Sequence, residues 1–100
     1  MTKRILISQP MRGKTKEQIE KEREPIVKAL GEKGYYVMDS VFTTAPEVSN
    51  IPLWCLGMSF TLIADCDAVF FMDGWEEARG CRMEYEACKA YGIPIILQGV

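Results

Sequence analysis

Hydrophobic positions along this chain follow two patterns that alternate from one end to the other. Short continuous apolar runs, typical of strands buried on both faces, occur four times: residues 4–8, 35–38, 68–72 and 93–97. Apolar residues spaced three and four apart, typical of helices, occur three times between these runs: residues 15–33, residues 51–64 and the segment that Gly92 ends. The predicted order of elements is therefore β-α-β-α-β-α-β within a single domain over residues 1–100.

The alternation of strands and helices predicts the architecture of the sheet. A strand that is followed by a helix and then by another strand favours a parallel sheet with right-handed crossovers. We therefore predict an α/β fold, a three-layer flavodoxin-like or Rossmann-like parallel sheet of four to five strands with flanking helices. If the first and third strands are neighbours, loops 9–14 and 73–79 lie side by side at the carboxyl ends of those strands, where such sheets bind ligands. We expect the functional site in residues 73–84.

Local signals refine the predicted helices. Thr15 and Gln18 are spaced as a capping box at the start of the first helix. Pro25 lies inside that helix and removes a backbone hydrogen bond, so we expect a kink or a break near Glu24. Segment 39–50 is predicted to be a loop, long enough to be of the kind that forms lids or binding segments. The third helix is predicted to carry one apolar stripe: Met83, Ala87 and Ala90.

Composition excludes several classes of function. A hydrophobic content of 48% and a charged content of 26% are ordinary for a soluble domain, and a net charge of −2 gives no electrostatic case for a nucleic-acid polymer or an anionic membrane. No apolar run approaches the roughly 20 residues of a transmembrane helix, and no signal-peptide pattern opens the chain. Four cysteines without a CxxC pair, in a chain without histidine, make a metal site improbable and indicate reduced thiols and a cytoplasmic location.

Glu84 is the leading candidate for chemistry. We predict that it lies in the first turn of the third helix, four residues after Gly80, where the helix dipole favours an ionised carboxylate. An ionised carboxylate beside a sugar carbon can act as a nucleophile, which gives a covalent glycosyl intermediate and retention of configuration. The alternative is that Glu84 only complements the dipole and pairs with a neighbouring residue.

Three further features each allow two interpretations. Trp75 is either a platform on which a base stacks or a side chain that packs across the sheet edge or an interface. Arg12 and Lys14, in the loop before the first helix, indicate either an anion site or ordinary solvated cations. Cys81 begins a helix but has no base partner near it in the sequence, so an activated thiol is disfavoured. The GxGxxG and GxxxxGK[ST] fingerprints are absent, so a dinucleotide or P-loop site of the usual kind is not expected.

Two segments resemble a known family. Residues 5–14, ILISQPMRGK, are similar to the ISGPM-x-G opening of the nucleoside 2-deoxyribosyltransferase-like proteins. Residues 73–84, DGWEEARGCRME, preceded by ADCD at 64–67, resemble the GW-x-x-S-x-G-x-x-x-E segment of the same group. The resemblance covers nearly the whole chain and is closest to the small bacterial and phage members that carry a domain of unknown function (DUF4406).

The resemblance implies an activity and a set of partners. In active relatives the glutamate that matches Glu84 attacks C1′ of a deoxyribonucleoside or its 5′-monophosphate, the base leaves, and a second base or water accepts the sugar. The implied partners are a small-molecule nucleoside or nucleotide and, because relatives often complete the site from a neighbouring subunit, a second copy of the chain; no cofactor is implied. The implied site comprises Glu84 and Asp73 as catalytic residues and the following substrate-binding residues: Gln9, Pro10, Met11, Arg12, Gly13, Trp75, Arg79 and Gly80.

Departures from the family pattern leave two main hypotheses open. Ser59 stands where active relatives carry an aspartate that assists the leaving base, Ala78 replaces the Ser or Asp that contacts the 5′ side, and Gln9 replaces a glycine. An acid that protonates the leaving base could be supplied instead by Asp73, Glu76 or Glu77. The phosphate could be bound instead by Arg79 with Arg12. The first hypothesis is an N-glycosidase or deoxyribosyltransferase. The second is a nucleotide-binding module or sensor without chemistry, and a third is a structural partner protein.

Overall fold

Four strands and three α-helices alternate along the described part of the chain in the predicted order. The computed structural model describes residues 2–40 and 46–99. A short 3₁₀ helix, Trp75–Glu77, precedes the last α-helix. The strands and helices, in chain order, are β1 (Lys3–Ser8), α1 (Lys16–Glu32), β2 (Tyr35–Val37), α2 (Ile51–Ile63), β3 (Ala68–Phe71), α3 (Arg79–Tyr91) and β4 (Ile95–Leu97). Part of the loop predicted over residues 39–50 lies outside the described residues.

The sheet is parallel and has the strand order β2-β1-β3-β4. Ile7 of β1 is opposite Phe70 of β3, and Phe71 is opposite Leu97 of β4. The α/β fold that the sequence predicts is therefore confirmed, with four strands and with β1 and β3 as neighbours at the centre, as in flavodoxin-like sheets. This neighbour relation brings the loops that follow β1 and β3 to the same edge of the sheet.

Two hydrophobic clusters, one on each face of the sheet, hold the three layers together. The sheet residues alternate between the two faces because successive strand side chains point to opposite sides. Under α1 the fully or nearly buried residues are Ile5, Ile7, Leu30, Ala68 and Met72. Under α2 and α3 they are Leu6, Ile63, Val69, Phe71 and Cys88. The central strands are thus covered on both sides, which explains their unbroken apolar sequences.

Helix α1 runs continuously through Pro25, so the predicted break near Glu24 is wrong. Proline removes the backbone hydrogen bond to the carbonyl four residues earlier, here that of Lys21. Both Pro25 and Lys21 are exposed, so water can solvate the carbonyl that loses its bond. The start of the helix is as predicted: Thr15 Oγ1 accepts from the Gln18 backbone N–H at 3.1 Å, and Gln18 Oε1 accepts from the Thr15 N–H at 2.8 Å.

Helix α3 buries a different face from the one that the apolar pattern predicts. Met83 is 51% exposed, and the buried positions are Cys81, Glu84 and Cys88. These three are also spaced three and four apart, but two are cysteines and one is a carboxylic acid, so the true stripe does not stand out as apolar. Gly92 ends the helix with a positive φ of 71°, as predicted, because glycine adopts this left-handed conformation without strain.

Helix α2 lacks charged residues and is nevertheless largely at the surface. Its sequence, IPLWCLGMSFTLI, has Ile63 as its one fully buried residue. Asn50 caps the helix by accepting from the Leu53 N–H at 3.1 Å, and Pro52 occupies its first turn as predicted. Within the described part of the chain, no helix is long and apolar enough to cross a membrane.

Candidate functional site

The loops that follow β1 and β3 touch each other at the carboxyl edge of the sheet. The Met72 N–H donates to the Ser8 carbonyl at 3.0 Å, which extends the pairing of the two strands to their last residues. Two residues further along the chain, Gly74 has a positive φ of 91°, and a Cβ at this position would lie 3.6 Å from Pro10 Cγ. The predicted side-by-side placement of the two loops is therefore confirmed.

Replacing Gly74 by alanine should destabilise the protein by about 1–3 kcal/mol, because a side chain at a positive φ is strained. The distance of 3.6 Å to Pro10 is an ordinary van der Waals contact, so it adds little to this cost. Urea denaturation measures the effect, and Gly31→Ala is the matched control, since Gly31 lies inside α1 with open space around it. The control should be neutral or stabilising. Equal stability of the two variants would contradict the strain at Gly74.

Glu84 lies where β1, α2 and α3 converge. Its side chain belongs to the buried face of α3 and is 7% exposed. The Ser8 hydroxyl, at the end of β1, donates to Glu84 Oε1 at 2.9 Å, and this serine is itself buried. Ser59 on α2 is a second hydroxyl neighbour, and it lowers the pKa of this carboxylate. The hydrogen bond from Ser8, which belongs to another element, therefore fixes one oxygen of the carboxylate.

Burial sets the protonation of this carboxylate. The pKa of Glu84 rises from 4.5 to about 6 because burial disfavours the charged form, and the hydrogen bonds from Ser8 and Ser59 oppose that rise. The prediction that Glu84 lies in the first turn is wrong, because α3 begins at Arg79 and places Glu84 in the second turn. The dipole effect falls off within the first turn, so burial dominates. Glu84 is mostly ionised above about pH 6 and takes up a proton just below it.

The cysteines near Glu84 are not activated. Burial raises the pKa of Cys81 to about 11, the hydrogen bond with Ser8 opposes this rise, and the charge of Glu84 adds to it. Burial and the charge of Glu84 likewise raise the pKa of Cys88 to about 11. Both thiols therefore stay protonated near neutral pH, which agrees with the expectation that disfavoured Cys81 as a nucleophile.

Trp75 is half-buried and packs against the chain's own hydrophobic core. Its ring stacks on Tyr85 with a centroid distance of 4.3 Å and an interplanar angle of 3°, and it is tilted against Phe71 at 5.5 Å. Phe71 and Tyr85 meet edge to face at 5.5 Å, so the three rings form one cluster beside the second apolar layer. One face of the indole is therefore covered by Tyr85, and stacking of a base on Trp75 stays a prediction.

The first loop divides into a buried and an exposed part. Gln9 is 5% exposed, and its Nε2 donates to the Ile19 carbonyl at 2.8 Å, while its Oε1 has no hydrogen-bond partner among the described residues. Pro10 and Met11 are half-buried, whereas Arg12 and Gly13 are exposed. Of the two predicted anion-binding cations, Lys14 forms an ion pair with Glu22 at 2.9 Å. Arg12 is therefore the better candidate of the two for the predicted anion site.

The second loop and the start of α3 carry the remaining predicted residues. Asp73 is exposed, and its backbone N–H donates to Gln98 Oε1 at 2.8 Å. Arg79 is exposed at the start of α3, and Gly80 beside it is half-buried. Among the described residues, no cluster of three or more potential ligands is arranged to hold a metal ion.

Ser8 is the site residue that sequence reasoning missed. The only signal was a polar residue at the end of an apolar strand, and its role depends on Glu84, which is 76 positions away. A second set of buried polar groups, Arg23 and Ser40, was also missed; Arg23 Nη1 donates to Ser40 Oγ at 3.4 Å. The surface grooves around Arg23, of about 450 and 370 Å³, lie against α1 and include no contact with Glu84. We therefore place the site at Glu84 by its chemistry and not by the size of a groove.

A comparison with protein families gives one match, which covers almost the entire chain. The family model described as "Domain of unknown function (DUF4406)" matches residues 3–97. Neither the curated proteins nor the solved structures that were compared with the chain contain a match.

Proposed function

We propose a function for this chain, which belongs to the DUF4406 family of domains of unknown function: it is an N-glycosyl enzyme that acts on a nucleoside or nucleotide. The reaction is either deoxyribosyl transfer or hydrolysis of a deoxynucleoside monophosphate, with Glu84 as the nucleophile. The observation that carries the proposal is a buried glutamate that accepts a hydrogen bond from Ser8, with Ser59 as a second hydroxyl neighbour, beside the paired carboxyl ends of β1 and β3. A carboxylate whose pKa lies near 6 suits chemistry at neutral pH.

The proposed mechanism has two displacements at C1′ of the sugar. One Glu84 carboxylate oxygen forms a bond to C1′ while the bond from C1′ to the base nitrogen breaks, and the base leaves with the electron pair and takes up a proton. The glycosyl ester that results is attacked at C1′ by water or by a second base, which frees the carboxylate and retains the configuration. Asp73, Glu76 and Glu77, all exposed in the second loop, are the candidate donors of the proton.

The remaining roles in this proposal follow from position. The first loop, Gln9 to Gly13, and the start of α3, with Arg79 and Gly80, border the sugar and the phosphate. Arg12 and Arg79 are exposed cations at the two loops that meet, so they are the proposed phosphate ligands. The proposed partners are a small-molecule nucleoside or nucleotide and a second copy of this chain, and the proposed location is the cytoplasm.

A second candidate function is a nucleotide-binding module that has lost its chemistry. Its specific support is Ser59, which lies against Glu84 where active relatives carry an acid. A hydroxyl group does not supply the proton that such an acid gives to the leaving base, and that assistance is worth roughly 10²–10⁴-fold in rate.

A screen of deoxynucleosides and deoxynucleoside monophosphates tests the two candidates together. Free base is measured by chromatography, and the melting temperature is measured on the same samples. The enzyme proposal expects base release from at least one compound, lost in Glu84→Ala and kept in Glu86→Ala, a matched change at an exposed position of the same helix. A rise in melting temperature without base release would favour the binding module. No shift and no release with any compound would contradict both.

A further inference from the structure

Arg23 on α1 is a buried cation. The chain has 12 lysine and arginine residues, and the other 11 are exposed, whereas Arg23 is 7% exposed. A charged side chain is normally removed from water only where an opposite charge or several hydrogen bonds compensate for the lost hydration. The proposed reaction at Glu84 gives Arg23 no role, so its burial points to a second use of the fold.

Contacts within the described part of the chain compensate for this burial only in part. Arg23 Nη1 donates to Ser40 Oγ at 3.4 Å, which is long for a hydrogen bond, and the Ser40 hydroxyl donates to the Ile7 carbonyl at 3.3 Å. The ion pairs within 4 Å that the described residues form all involve other cations. A guanidinium carries five N–H donors in a planar fork. Arg23 therefore keeps donors for an acceptor that comes from outside the chain.

A groove between α1 and the end of β2 gives access to this guanidinium. It has a volume of about 370 Å³, and Arg23 is one of the residues that line it. Three of the other lining residues are apolar and half-buried: Val27, Val37 and Met38. A second groove, of about 450 Å³, also includes Arg23 and Val27. An acceptor that enters the first groove would thus meet Arg23 and apolar side chains together.

We propose that the groove between α1 and β2 binds a small organic carboxylate. Its two oxygens accept hydrogen bonds from the Arg23 guanidinium, and its apolar body packs against Val27, Val37 and Met38. A carboxylate and a guanidinium match in a planar, bidentate pair, and such charge-assisted hydrogen bonds are roughly twice as strong as neutral ones. The proposal does not depend on the reaction at Glu84, because the groove lies against α1 and Glu84 belongs to α3, which packs on the other face of the sheet.

The charges that line the groove favour a carboxylate over a phosphate. The charged residues are two cations and two anions: Lys16 and Arg23, and Glu20 and Asp39. Burial lowers the pKa of Arg23, and the charges of Asp39 and Glu20 oppose this change, so both anions act on the guanidinium. They would repel a phosphate group, which carries nearly two negative charges at neutral pH, more strongly than a carboxylate with one. A carboxylate with an apolar body therefore suits both the charges and the apolar lining of the groove.

Isothermal titration calorimetry of the full chain with isocaproate, at constant ionic strength, tests the proposal. The wild type should bind with a Kd of about 1 mM or tighter, since the charge-assisted pair and the burial of several CH₂ groups each contribute. Arg23→Met should weaken binding by about tenfold or more, because methionine has a similar length and no N–H donor. Lys21→Met is the matched control: it removes the same charge from an exposed position of α1 and should bind like the wild type.

Two further probes separate a carboxylate from other ligands of the groove. Isohexanol has the same apolar body without the charge, and inorganic phosphate has charge without the apolar body. Each should bind at least about tenfold more weakly than isocaproate. No binding of isocaproate up to about 20 mM, or equal binding by Arg23→Met, would overturn the proposal. So would phosphate or isohexanol that binds as tightly as isocaproate.

Folding of the variants is checked by circular dichroism and thermal melting. Arg23→Met replaces a buried charge by an apolar side chain, so a folded variant is expected. Arg23→Lys is a second test that keeps the charge. Lysine lacks the planar fork, so isocaproate should bind this variant about threefold or more weakly than the wild type. Unchanged affinity in Arg23→Lys would contradict the bidentate contact on which the proposal rests.

Discussion

Replacing Glu84 by glutamine should abolish base release and, above about pH 7, make the protein more stable than the wild type. Loss of the proposed nucleophile should lower the rate by about three orders of magnitude or more, because an amide does not form the glycosyl ester. The gain in stability has a separate cause. Glutamine is uncharged, so the folded variant avoids the cost of burying a carboxylate that is 7% exposed.

The stability gain should depend on pH in a defined way. Because burial raises the pKa of Glu84 from 4.5 to about 6, the folded wild type binds a proton more tightly than the unfolded chain does. Between these two values the folded state therefore loses stability as pH rises, by about 2 kcal/mol in total at roughly 1.4 kcal/mol per pKa unit. Glu84→Gln should thus have a free energy of unfolding about 2 kcal/mol higher than that of the wild type above about pH 7, and the difference should vanish below pH 4.5.

Urea denaturation at several pH values, with base release measured on the same preparations, checks both parts of this prediction. Glu86→Gln is the matched control, since Glu86 is exposed on the same helix and should change neither quantity by much. A Glu84→Gln protein that is less stable than the wild type at neutral pH would contradict the assignment of a desolvated carboxylate. A variant that is more stable and equally active would contradict its role as the nucleophile.

The sheet could be predicted from the sequence because each central strand is buried on both faces. Ile5, Leu6 and Ile7 are almost inaccessible, and so are Val69 and Phe71, so these strands had to be continuous apolar runs. Once the strands were placed, the alternation with helices predicted a parallel sheet, and the two loops were expected to meet if the first and third strands were neighbours. The capping box of Thr15 and the glycine at the end of α3 could also be predicted from the sequence, since both are local signals.

The face of α3 and the environment of Glu84 could not be predicted in the same way. The hydrophobic pattern predicted that Met83 faces the core. It did not predict a buried glutamate, because carboxylates are normally exposed to solvent. In the fold, Ser8 and Ser59 reach Glu84 from positions 76 and 25 residues away, so its burial is a property of the tertiary structure. The stacking of Trp75 on Tyr85 follows likewise from the short 3₁₀ helix that carries the indole.

Replacing Ser59 by aspartate should raise the rate of base release about 10–100-fold, if the chain is an enzyme limited by protonation of the leaving base. Ser59 is near enough to Glu84 to lower its pKa, so a carboxyl group at this position would lie close to a second carboxylate. Two carboxylates in contact do not both ionise near neutral pH, and the pair keeps one proton. With Glu84 ionised as the nucleophile, the proton stays on the residue at position 59, where it can be donated to the base.

Single-turnover measurements of base release compare Ser59→Asp with Ser59→Asn, which has nearly the same size and shape but no proton to donate. The asparagine variant should be no faster than the wild type, and only the aspartate variant should show a new fall in rate as pH rises, because the donor is lost when the pair gives up its proton. If aspartate gives no more release than asparagine, one of the exposed acids Asp73, Glu76 and Glu77 already protonates the base, or no base is released. Replacing each of these three residues by its amide separates the two cases. The rate of base release should fall only if the replaced residue is the acid that protonates the base.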